Sequence, residues 1–223
     1  MGARTFANQL TLLIGPCLHA KLRRFVPIVL LMWLVPAATA VAGHQIYEPL
    51  SDNVRTMLEA AVADAPVTDA PVLATPDGRR WVAEMSLRLV GRIPDNQQRR
   101  DFLATVYYEA VRAGLDPSLV MGVIEVESGF HKYAISSANA RGYMQVMPFW
   151  VSQIGSPGQD LFHLRTNLRY GCNILRLYLD QENGDLFRAL GRYNGSLGQA
   201  DYPRMVVSAW KRHWTLGTST SAR

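Results

Sequence analysis

Residues 116–130 read Asp-Pro-Ser-Leu-Val-Met-Gly-Val-Ile-Glu-Val-Glu-Ser-Gly-Phe, and one carboxyl among them is placed to hold a proton. Val120, Val123, Ile124 and Glu127 recur at helical spacing, so they share one face. Glu127 therefore closes an apolar stripe. A carboxyl among apolar neighbours is poorly solvated, which disfavours its charged form and raises its pKa. That suits a general acid that must carry a proton near neutral pH. Glu125, two residues earlier, turns to roughly the opposite side. The same placement also fits a buried Glu paired to an Arg or bound to a backbone N–H.

The helix that positions Glu127 has clear limits. Asp116 is a good N-cap, Pro117 fits the first turn, and Gly129 breaks the helix. Upstream, Ser51 or Asp52 caps a short helix running to about Asp64. Pro66, Pro71, Pro76 and Gly78 make residues 65–78 a loop or linker. A helix over Arg79–Val90 follows, and Trp81 on it is a packing anchor. Pro94 ends that stretch, and Asp95 caps a helix that runs to Ala113 and stops at Gly114. Downstream come a polar loop over 131–140 and a helix over Arg141–Ile154. Gly155, Pro157 and Gly158 form a turn. Thr166 caps a long helix to Glu182, which Gly184 ends. Asp185 caps a short helix carrying Leu186, Phe187, Leu190 and Tyr193. Pro203 opens the last helix, with Val206, Val207, Trp210 and Trp214 inward. No strand pattern persists over 95–215, so the domain is all-α, built of short helices with irregular connections.

Three motifs in order sharpen the reading. They are Glu127-Ser128-Gly129-Phe130, then Gly142-Tyr143-Met144-Gln145 with Met147-Pro148, then Tyr193-Asn194-Gly195. Together they resemble the soluble lytic transglycosylase (SLT) family over about Asp101–Trp210. The resemblance implies a lysozyme-like helical domain of the goose-type/SLT kind that cleaves peptidoglycan glycan strands. It implies Glu127 as the catalytic acid. Ser128 then contacts substrate or braces the Glu, or is simply a helix hydroxyl on a carbonyl. Met144 and Gln145 match the family's Gly-Leu-Met-Gln, with the amide bonding sugar groups. Tyr193 matches the Tyr whose hydroxyl reaches the catalytic Glu, and Asn194 follows it. Tyr143 stands where the family has Leu, and Arg192 where it has Ala.

Cleaving a glycosidic bond needs a proton for the leaving oxygen, and most glycosidases add a second carboxylate. From Ser128 to Gln159 there is no Asp or Glu. Glu109, Asp116 and Glu125 precede the motif, and Asp160 and Asp201 follow it at a distance. One carboxyl suffices if the sugar's N-acetyl group stabilises the developing cation and its 6-hydroxyl attacks. The resemblance implies that course for MurNAc-β-1,4-GlcNAc bonds, with 1,6-anhydro-MurNAc ends and Glu127 as acid then base. The alternatives are a lysozyme-type hydrolase on the same fold, or a non-catalytic glycan-binding or assembly module. A secretion-system, pilus or flagellar component is left open as a partner.

Other chemistries find no footing. His44, His131, His163 and His213 share no ligand spacing, so no metal is expected. There is no phosphate-binding Gly-rich loop and no nucleophile elbow, and no cofactor is implied. The net charge of +5 misleads. Residues 1–42 hold Arg4, Lys21, Arg23 and Arg24 and no acid, leaving 19 basic against 18 acidic residues, and nucleic-acid binding is not indicated. Lys21-Leu-Arg-Arg24, an apolar run from Phe25 to Val35, and the small-x-small sites Ala38-Thr-Ala40 and Ala40-Val-Ala42 form a secretory signal pattern. The expected location is periplasmic, with an uncleaved inner-membrane anchor as the alternative. Cys172 would be the only mature cysteine, and it lies on a helical stripe with Leu168, Leu175 and Leu179, as a small core residue does. The expected organisation is a signal peptide at 1–42, a helical extension with a Pro-rich linker at 43–95, the catalytic domain at 96–215 and a flexible tail at 216–223.

Overall fold

The computed structural model describes residues 45–63 and 74–216. The leader, residues 64–73 of the linker and all of the tail but Leu216 lie outside them. The described residues form helices α1 (Asp52–Val62), α2 (Pro76–Leu89), α3 (Asn96–Arg112), α4 (Pro117–Ser128), α5 (Phe149–Ile154), α6 (Leu164–Gln181), α7 (Leu186–Asn194) and α8 (Asp201–Ala209). A π-helical turn, Trp210–Trp214, continues α8. Among the described residues there is no strand, only two isolated bridges, Ile135 with Arg141 and Arg141 with Val146. None of the described helices is long and apolar enough to cross a membrane.

Local side-chain chemistry sets most of the helix starts. Ser51, Asp95, Asp116 and Asp185 each accept a hydrogen bond from a first-turn backbone N–H of the helix they precede. Thr75 does the same for α2, so Pro76 and Gly78 lie inside the helix rather than in the linker. Pro76 is accepted there because a first-turn residue needs no N–H partner. Helix α6 starts at Leu164, two residues before the Thr166 cap expected from the sequence. Helix α8 starts at Asp201, two residues before the Pro203 start expected from the sequence, so Pro203 sits within its first turn.

Residues 141–148, expected as helix, form a tight reversal instead. Arg141 and Val146 exchange two backbone hydrogen bonds at 3.0 Å each. Gly142 (φ +75°) and Gln145 (φ +49°) are left-handed, which no α-helix tolerates in its interior. The helix expected over Arg141–Ile154 begins only at Phe149.

Helix α4 runs through the middle of the core. Val120, Val123 and Ile124 have no exposed surface. Gly122 lets it meet the α8 end closely, since a Cβ there would lie 2.9 Å from the Trp210 backbone nitrogen. Trp81 is buried, donates to Ser118 Oγ at 3.0 Å and packs edge-on to Tyr107. Cys172 is fully buried, and burial pushes its thiol far above the usual range.

Candidate active site

Glu127 is 4% exposed and lies in the last turn of α4. Just beyond it the chain turns sharply, because Gly129 (φ +56°) and Phe130 (φ +71°) are both left-handed. Left-handed backbone at a non-glycine residue needs support from its surroundings. Phe130 has it: its ring packs on Phe102 and Trp214 and under the Arg92 guanidinium.

The hydroxyl on Glu127 comes from Tyr202 of α8, which donates to Oε1 at 2.6 Å. Burial first, and the Glu127 carboxylate second, push the Tyr202 hydroxyl well above the ordinary tyrosine range. Tyr202 therefore stays a donor at any working pH. The sequence expectation gave that role to Tyr193. The Tyr193 hydroxyl donates to Met144 O at 2.8 Å. It is near enough that Glu127 charge, after burial, raises its pKa too. Tyr202 was missed because it stands 75 positions from Glu127 and beside a proline that reads as a helix start.

The remaining candidates converge on the loop over 141–147 rather than on open space. Ser128 Oγ lies 2.8 Å from Tyr143 O and 3.2 Å from Ile124 O, so its one proton bonds a carbonyl and ties the end of α4 to the loop. Gln145 is 1% exposed; its Nε2 donates to Ala134 O at 3.0 Å and Gly142 O at 2.9 Å. Both amide protons hold the loop, and neither is left for a sugar. Met144 is fully buried, against the backbone of Gly171 and the sulfur of Cys172. It is core beneath the site. Its N–H is held by Asn167 Oδ1 at 2.8 Å. Asn194 ends α7 with 7% exposure, donating to Ser196 Oγ at 3.3 Å. Its buried Oδ1 has no protein donor among the described residues.

The other acids named from the sequence, apart from the exposed Asp201 at the start of α8, are engaged. Glu109 is bound by Arg112, Arg165 and Arg169. Glu125 does face away from Glu127: Arg92, His213 and the Trp214 indole N–H all converge on it. Asp116 caps α4, and Asp160 accepts from Phe162 N at 2.8 Å.

An all-helical domain with a buried acid, Glu127, at the end of its central helix is lysozyme-like in class. Residues 105–205 match the Transglycosylase SLT domain family. Residues in this chain are 46% identical over 84 positions to membrane-bound lytic murein transglycosylase C of Actinobacillus pleuropneumoniae, covering 37% of this chain and 21% of that one. The corresponding protein of Glaesserella parasuis is 44% identical over 91 residues, 37% of this chain and 25% of its own. That of Mannheimia succiniciproducens is 41% identical over 70, 31% of this chain and 18% of its own. The aligned part thus spans a quarter or less of these relatives.

Proposed function

We propose that this chain is a peptidoglycan lytic transglycosylase acting in the periplasm on MurNAc-β-1,4-GlcNAc bonds. The observation that carries the reading is Glu127, buried at the end of α4 with the Tyr202 hydroxyl 2.6 Å from its carboxyl. The names of the relatives, murein transglycosylases, support the substrate class. A secretion, pilus or flagellar machine would use such an activity to open the wall locally.

Burial favours the neutral carboxyl, so Glu127 holds a proton to give. It passes that proton to the glycosidic oxygen as the bond from the MurNAc anomeric carbon breaks. The N-acetyl carbonyl oxygen closes on that carbon and shares its positive charge. Glu127, now a carboxylate, takes the proton of the 6-hydroxyl as O6 attacks and displaces the N-acetyl oxygen. The acid is regenerated and the product is a 1,6-anhydro ring. The Tyr202 donor fixes the carboxyl's orientation and steadies its charged form between the two transfers.

Mass spectrometry of digested sacculi is the direct check. Anhydro ends are expected; free reducing ends instead would make the enzyme a hydrolase. Sacculus binding with no released fragments would make it a binding module. A Tyr202→Phe variant should keep its fold and release fragments about tenfold more slowly, because the acid loses its orienting donor. An unchanged rate would leave Tyr202 with a packing role only.

A further inference from the structure

We infer that Gln45, which lies 60 residues upstream of the matched domain, is a positioning residue for the active-site loop. The inference rests on the transglycosylase reading for its kinetic arm and on the fold alone for its structural arm.

Gln45 is 3% exposed, although the arm around it is open: Ile46 and Tyr47 are 56% and 59% exposed. Its amide is used in both directions. Nε2 donates to Gln145 O at 3.3 Å. Oε1 accepts from Met147 N at 3.2 Å and from the Trp150 indole N–H at 3.1 Å. These three groups lie within or just beyond the reversal over 141–148, where no helix or sheet would otherwise pair them. A buried N–H or C=O without a partner is costly, so the loop conformation depends on a side chain supplied from outside the domain.

The loop needs that support. Gln145 holds left-handed backbone (φ +49°), which persists only when its surroundings over-determine it. One residue before it, Met144 O receives the Tyr193 hydroxyl. Two residues before it, Tyr143 O receives Ser128, the neighbour of Glu127. A chain of bonds therefore runs from Gln45 through the loop to the end of α4 that carries the acid. The arm is fastened along its length. Tyr47 packs edge-on to Phe149 with centroids 5.5 Å apart. Gln153 Nε2 donates to Glu48 O at 2.9 Å, and Arg192 of α7 pairs with the Glu48 carboxylate at 3.1 Å. Both leader cleavage sites expected from the sequence end before residue 45, so processing at either one leaves Gln45 in place.

The test uses the full chain with Gln45→Met, which keeps the length of the side chain and removes all three bonds, and with Ile46→Ala as an exposed control. Two readouts are taken: the rate constants for fragment release from sacculi, and hydrogen exchange at the Met147 amide. Gln45→Met should lower kcat about tenfold or more with KM within about twofold, since geometry rather than glycan binding is lost. Its Met147 amide should exchange faster while α3 and α6 stay protected, and Ile46→Ala should match the parent in both. Unchanged kcat together with unchanged Met147 exchange overturns the inference. So does a uniform rise in exchange through α3 and α6, which would mean plain loss of stability. If the parent itself releases no fragments, the transglycosylase reading fails, and the Met147 amide still decides whether Gln45 clamps the loop.

Discussion

Glu127→Gln is expected to lower fragment release from sacculi by about a thousandfold or more while the melting temperature stays level or rises slightly. The rate loss follows from the chemistry. An amide of the same shape can still accept the Tyr202 hydroxyl, now 2.6 Å from Oε1, so the surrounding geometry has no reason to move. It has no acidic proton to hand to the leaving oxygen and no carboxylate to receive one from the 6-hydroxyl. A general acid–base contributes about 10²–10⁴ to rate, and here one group serves in both steps. The stability arm follows from burial. A carboxyl 4% exposed is desolvated, and a neutral amide in its place relieves that cost. Fragment release by mass spectrometry and thermal melting by circular dichroism check both arms. Cleavage near the parent rate would remove Glu127 from the chemistry and the proposed mechanism with it.

The features readable from sequence were those with a local cause. Asp95, Asp116 and Asp185 announce helices because a cap acts on backbone two or three residues away. Glu127 could be placed on the buried face because Val120, Val123 and Ile124 precede it at helical spacing. The residues around the acid are another matter. Tyr193 and Tyr202 both carry a buried hydroxyl, and only the packing of α8 on α4 and of α7 on α8 decides which one reaches Glu127 and which one reaches Met144 O. Gln145 and Met144 were found by their motif, yet their work is to shape a loop. That loop stood inside a helix expected over 141–154, since left-handed residues at 142 and 145 leave no mark on hydrophobic periodicity. Gln45 had no signal at all: an amide in an extended lead-in looks like solvent-facing chain until the fold brings the loop against it.

Glu109→Gln should behave oppositely to Glu127→Gln, and the contrast tests the single-acid mechanism. The Glu109 side chain has no exposed surface and sits among three guanidinium groups. Arg165 Nε lies 3.1 Å and Arg169 Nη2 3.3 Å from Oε1, and Arg112 Nη1 lies 3.6 Å from Oε2. Two of these arginines also reach the end of α1: Arg112 donates to Ala61 O at 2.8 Å and Arg169 to Val62 O at 3.4 Å. Removing the one negative charge leaves three packed cations to repel each other and loosens the hold on α1. Breaking a buried ion pair by neutralising one partner costs about 3–5 kcal/mol. At this chain length that lowers the melting temperature by about 10 °C. Far below its own melting point the variant should release fragments at close to the parent rate, because a side chain with no exposed surface, enclosed by three arginines, is out of reach of a water or a sugar hydroxyl. A collapse in rate with the fold intact would identify Glu109 as the missing second carboxylate. The reaction would then have to be rewritten around a pair of acids.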